Sequence, residues 1–79
     1  MKARITITLK TGVLDPQGKA IEGALGSLGF AGVENVRQGK YIELELAETD
    51  RERAQAKLAS MCEKLLANTV IENYSIELA

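Results

Sequence analysis

Apolar and polar residues alternate from the start of the chain, with Ala3, Ile5, Ile7 and Leu9 on one side and Lys2, Arg4, Thr6, Thr8 and Lys10 on the other. That period of two gives a strand one buried and one wet face. The period then lengthens, and Ala20, Ile21, Ala24, Leu25 and Leu28 recur at the spacing of a helix. Between the two patterns lies a polar junction. Gly12 can take a backbone shape closed to other residues, Asp15 stands where a helix cap belongs, and Pro16 would open the first turn, followed by Gln17 and Gly18. Gly29 sits where a left-handed C-terminal cap is expected, with Phe30 as its hydrophobic closure. Gly23 and Gly26 each weaken the helix by up to about 1 kcal/mol relative to alanine, a cost that is either tolerated or explained by a second backbone packing close.

Further along, Val33 to Val36, the turn Arg37-Gln38-Gly39-Lys40 and Tyr41 to Leu46 read as a hairpin. Ile42, Leu44 and Leu46 face inward there, and Tyr41, Glu43 and Glu45 outward. Thr49 with Glu52 fits a capping box, and Ala54, Leu58, Met61 and Leu65, flanked by Cys62, form the core stripe of a second helix ending near Asn68. Alternation returns through Tyr74, Ile76 and Leu78. The order strand, helix, strand, strand, helix, strand predicts one α+β domain over residues 1–79. Its expected form is a ferredoxin-like βαββαβ two-layer sandwich, a four-stranded antiparallel sheet with two helices on one face. The other face and the edges stay open, so the last strand could add to the sheet of a second copy.

Composition narrows the class. With 79 residues, 46% of them hydrophobic, there is room for one core only, and a domain this small buries just about 60% of the surface its unfolded chain exposes. Such a thin core favours a protein partner, and a homodimer is the preferred one. The single Cys62 cannot make an internal disulfide, no apolar run reaches membrane length and there is no signal-peptide pattern, so the cytoplasm is the expected compartment. A net charge of −1 offers no attraction to phosphate backbones or anionic lipid, which argues against nucleic acid and membrane as partners.

The chemistry is sparse. The chain has no histidine and no cysteine cluster, which leaves it without the usual neutral-pH base or a transition-metal site of normal spacing. Cys62 reads as a small buried hydrophobe. Asp15 is first a helix cap. Gly12 and Gly18 match neither the dinucleotide nor the Walker pattern. Arg37 and Lys40 bracket the expected turn, as solvated charge or as a cationic fork for a phosphate or partner carboxylate. Aromatics total 4%, too few for an RNA-recognition sheet. Paired cysteines after the first strand, as in a metal carrier, are missing, and so is the arginine loop of an acylphosphatase. An assembly subunit or an allosteric ligand-sensing module remains.

Thr8-Leu9-Lys10, Gly12-Val13-Leu14-Asp15-Pro16-Gln17-Gly18, Leu28-Gly29-Phe30 and Val36-Arg37-Gln38-Gly39-Lys40, in this order and spacing, resemble the PurS family. That family is the small subunit of phosphoribosylformylglycinamidine synthase, and the likeness runs from the first strand to the last. One departure is Thr69, where the family pattern has proline. The resemblance implies a non-catalytic bridging role in purine biosynthesis, in which formylglycinamide ribonucleotide, ATP and glutamine yield the amidine FGAM. By that likeness the chain dimerises or forms a tetramer and joins a synthetase subunit (PurL) to a glutaminase subunit (PurQ) so that ammonia passes between them. The complex would use ATP and magnesium, with no cofactor bound by this chain alone. The family motif maps onto Asp15, Pro16, Gln17 and Gly18 as a structural motif, and onto Arg37, Gly39 and Lys40 as contacts to the synthetase or to the ribonucleotide phosphate. The other reading kept is a small dimeric regulatory module binding an amino acid or nucleotide between two copies.

Overall fold

A computed structural model describes all 79 residues. Its elements are β1 (Lys2–Leu9), α1 (Pro16–Ser27), β2 (Gly39–Glu45), α2 (Arg51–Met61) and β3 (Glu72–Leu78), with a π-helical stretch, Cys62–Leu66, continuing α2. β1 lies at the centre of a three-stranded sheet of order β2-β1-β3 and runs antiparallel to both neighbours. The register places Ile5 opposite Ile42 on one side and Ile76 on the other, with Ala3 opposite Leu44 and Leu78. The alternation read along each strand therefore converges on one apolar face.

α2 covers that face. Ile5, Ile7, Leu58 and Cys62 are fully buried, and Ile42, Leu44, Met61, Leu66, Tyr74 and Ile76 pack around them. Each large aliphatic side chain taken out of water in this way contributes about 1.5–3 kcal/mol. The helix begins one residue later than Thr49 suggests. Asp50 is the cap, and its carboxylate accepts from the backbone N–H groups of Glu52 and Arg53 at 2.9 and 3.4 Å. At its far end the N–H of Ala67 reaches back five residues to the Cys62 carbonyl. The extra residue in that turn rotates the side chains after it about the helix axis, so Leu65, expected in the core stripe, is 82% exposed and Leu66 and Ala67 face the core instead.

The expected four-stranded sheet with both helices on one face is not what forms. Val33 to Val36 is not a strand, and the segment from Arg37 to Lys40 is not a hairpin turn but leads into β2. Gly32 and Asn35 both take positive φ, 81° and 56°, which breaks an extended run between them. α1 has its expected ends. Asp15 caps it, Pro16 opens it, and Gly29, at φ 94°, closes it in a Schellman motif, with Phe30 N–H to Leu25 O at 3.0 Å and Gly29 N–H to Gly26 O at 3.1 Å. Its apolar stripe, however, does not lie on the sheet, and α1 makes no extensive contact with any other element. A Cβ added at Gly23 or Gly26 would meet nothing within 4 Å outside the helix's own backbone.

α1 with its flanking loops is an arm. A chain of this length packed as a sphere-like domain has a radius of gyration of about 12 Å, whereas this one measures 15.9 Å with extents of 49 × 25 × 15 Å. An eight-residue strand of roughly 27 Å followed by a twelve-residue helix of roughly 18 Å accounts for the long axis.

Thr69 occupies the second position of a turn in which Ile71 N–H bonds to the Asn68 carbonyl at 3.0 Å, and Thr69's own N–H has no protein partner. Proline suits that position. Thr69→Pro should therefore raise stability by about 0.4–1 kcal/mol through the unfolded state, measured by chemical denaturation; a loss of stability would contradict this account of the turn.

Candidate functional site

The base of the arm is where the chain leaves the sheet after β1 and returns to it before β2. Asp15 sits at this corner, 5% exposed, the one charged residue among the buried ones. One carboxylate oxygen accepts from Gly18 N–H at 2.9 Å, as a helix cap should, and the other accepts from Gln38 N–H at 2.8 Å. The second bond crosses from the outgoing to the returning strand and has no counterpart in the capping rule. Those two backbone donors, Gln38 first, hold the Asp15 carboxyl below its ordinary value, and the nearby Arg37 guanidinium adds to the effect against partial desolvation.

Arg37 makes the second crossing. Its guanidinium donates to the carbonyls of Val13 at 3.1 Å, Lys10 at 3.2 Å and Leu9 at 3.4 Å, gathering the end of β1 and the loop after it. Gln38 Nε2 donates to Gln17 Oε1 at 2.7 Å, and Val36 N–H to the Glu22 carboxylate at 3.3 Å. Two glycines are required sterically. A Cβ on Gly18 would meet the Val36 carbonyl oxygen and, at 2.8 Å, an Asp15 carboxylate oxygen, while one on Gly39 would run into the Ile7 carbonyl oxygen across the β1–β2 ladder. Both sit where backbones approach too closely for a side chain.

The two motif segments, some twenty residues apart in sequence, thus form one structure. Asp15, Pro16, Gln17, Gly39 and Lys40 line an open hollow of ≈ 410 Å³ floored by Ile7 and Leu9. Arg37 lies on its far side, in an adjoining hollow with Asp15. Of the two readings of Arg37 and Lys40, a joint cationic fork is not seen in the chain alone, where the two turn to different partners. The Lys40 ammonium is 3.4 Å from the Glu72 carboxylate on β3 and its side chain remains 58% exposed. Glu72 is also bonded by Asn68 N–H at 2.6 Å, and that donor, with Lys40, lowers its carboxyl from the ordinary value.

Glu22 and Glu72 were not among the residues singled out from the sequence. Each meets its partner only after folding, and no spacing rule links Glu22 to Val36 or Glu72 to Lys40. Cys62 is buried, and desolvation raises its thiol, as suits a core residue. No group of three or more His, Cys, Asp or Glu side chains comes together to hold a metal ion.

Asp15 has a folded-state value below its ordinary one, so its stabilising contribution is whole above pH 3.8 and is lost as the pH falls through the depressed value. Asp15→Asn keeps one acceptor oxygen but sets an amide N–H2 against the other backbone donor, and should lower the neutral-pH melting temperature by roughly 4–8 °C, the shift one lost hydrogen bond gives a domain of this size. The gap to the parent should close in acid. A gap that stays constant down to about pH 3 would mean that the carboxylate charge plays no part.

A family model described as PurS, phosphoribosylformylglycinamidine (FGAM) synthase, matches residues 2–79. The phosphoribosylformylglycinamidine synthase subunit PurS of Synechocystis is 53% identical over 75 residues, 95% of this chain and 75% of that one. The Bacillus subtilis subunit is 49% identical over 76 residues, covering 96% and 89%. Among solved structures, B. subtilis PurS in a C2 crystal form superposes with a TM-score of 0.86 at 49% identity, covering 96% of this chain and 94% of that one. A chain of PurLQS from Thermotoga maritima superposes at 0.88 with 34% identity, covering 96% and 93%.

Proposed function

The chain belongs to the PurS family of phosphoribosylformylglycinamidine (FGAM) synthase, and from that premise we propose that it is the homodimeric bridging subunit of that enzyme, joining the synthetase and glutaminase subunits. FGAM synthase is an ATP-dependent ligase of purine biosynthesis with glutamine as amide donor, and this chain is its non-catalytic subunit. Ammonia freed at one site has to reach another before bulk water protonates it, and a bridging piece serves that need by holding surfaces in place and excluding solvent.

One observation carries the reading. The arm presents Leu14, Leu28 and Phe30 at 73, 73 and 59% exposure, with Ile21 and Val33 beside them. The chain's accessible surface of 5558 Å² exceeds the roughly 4,700 Å² of a compact protein of its mass by about 860 Å². A standard interface buries about 800 Å² on each partner. A second copy laid against the arm covers its bare leucines and phenylalanine, and the whole chain's excess of surface is large enough to supply such an interface. The remaining polar sheet face and the rim of the hollow are free for the larger subunits. Lys40 is the cation at that rim with charge to offer, tied to one carboxylate only, and contacts a carboxylate of the synthetase or the ribonucleotide phosphate. The lone thiol of Cys62 suits the reducing cytoplasm.

Two outcomes are expected. Leu28→Asp with Phe30→Asp should convert the dimer to a monomer in light scattering and abolish glutamine-driven FGAM formation when mixed with synthetase and glutaminase; a dimer of unaltered mass would refute the arm's role. Lys40→Ala should leave the dimer and its melting curve almost unchanged and reduce turnover of the complex by about tenfold, as one lost charge-assisted contact does. Full turnover in that variant would remove Lys40 from the contact surface.

A further inference from the structure

An arm whose helix makes no extensive contact with another element still leaves the sheet in one direction. Apolar burial cannot set that direction, because no member of the core cluster lies on the arm, whose own buried residues are Asp15 and Gly18. Covalent continuity alone does not set it either, since two single strands connect arm and sheet and each contains residues with freely variable dihedrals. What remains is the set of bonds that cross between those strands. Asp15 holds Gln38 N–H at 2.8 Å, Arg37 holds the carbonyls of Leu9, Lys10 and Val13 at 3.4, 3.2 and 3.1 Å, and Gln17 holds the Gln38 amide at 2.7 Å.

We infer that Asp15 and Arg37 form an orientation clamp that fixes the angle between arm and sheet, and that both are positioning residues for the assembled enzyme rather than contacts to its other subunits or substrate. A guanidinium suits this task. Its planar, rigid fork of donors reaches several carbonyls at once. A carboxylate with one oxygen on the first turn of α1 and the other on the segment returning to β2 is the matching acceptor, and its depressed titration keeps it ionised at neutral pH. The inference rests on the bridging role proposed above, because an angle matters only if the arm must meet a second copy while the sheet meets something else. Gly18 and Gly39 complete the device by letting the strands approach as closely as these bonds require.

The test places spin labels on cysteines introduced at Ser27, on the arm, and Ser75, on the outer sheet face, with native Cys62 shielded in the core. Labelled chain is diluted into unlabelled chain so that only distances within one chain are read. The parent should give one narrow distance. Arg37→Met and Asp15→Asn should each broaden it, while circular dichroism still reports a folded sheet, and glutamine-driven turnover of the reconstituted complex should fall about tenfold in step. Arg37→Lys, which keeps the charge but not the fork, should broaden it too. A narrow distance retained in both Arg37→Met and Asp15→Asn would overturn the clamp, and so would broadening with turnover intact. If the parent chain itself failed to support turnover in the complex, the bridging role would fall, and the distance distributions would still decide whether the clamp exists.

Discussion

A single layer of apolar contact crosses this molecule, where Ala3, Ile5 and Ile7 of the central strand meet Leu58 and Cys62 of the helix above. Because β1 is bonded on both sides, it orders β2 and β3 together, and because α2 is the only helix on that face, its docking completes the core. Nothing apolar is left over to hold the other third of the chain. The arm is therefore governed by a different force from the body. Its helix is stabilised locally by caps, and its attachment depends on hydrogen bonds whose donors and acceptors are mostly in contact with water.

That division bears on function. A core of this size leaves a narrow margin over chain entropy, and the second copy proposed to cover the arm's leucines and phenylalanine would add the burial the protomer lacks. The same exposed surface that weakens the single chain makes it able to join others. A subunit of FGAM synthase that contributes no acid, base or nucleophile is consistent with the inventory of side chains, in which the two most buried ionisable groups, Asp15 and Cys62, are respectively bonded to backbone donors and sealed in the core.

The junction shows how one residue can answer to two rules. Asp15 read as a cap because a carboxylate before proline at a helix start has an obvious backbone donor three residues on, and that bond is present. Its other oxygen meets Gln38, a partner no local rule could supply. Arg37 and Lys40 looked alike as two cations near a turn. Folding separates them, one turned toward carbonyls at the end of β1 and in the loop after it, and the other toward a carboxylate on β3.

Whatever depends on neighbours within a few residues was legible from the chain itself: the alternation of all three observed strands, the Asp15 cap, the Schellman close of α1 at Gly29, and the family motif from Thr8 to Lys40. The departures all involve distance or a small local shift. Val33 to Val36 has strand-like residues but is interrupted by left-handed backbone at Asn35, and a π turn after Met61 exchanges Leu65 for Leu66 and Ala67 at the core. The apolar stripe of α1 established that a helix would form and would need covering. Whether its own sheet or another chain covers it was decided only in three dimensions, because periodicity specifies which face is apolar and the path of the connecting loops determines what that face can reach.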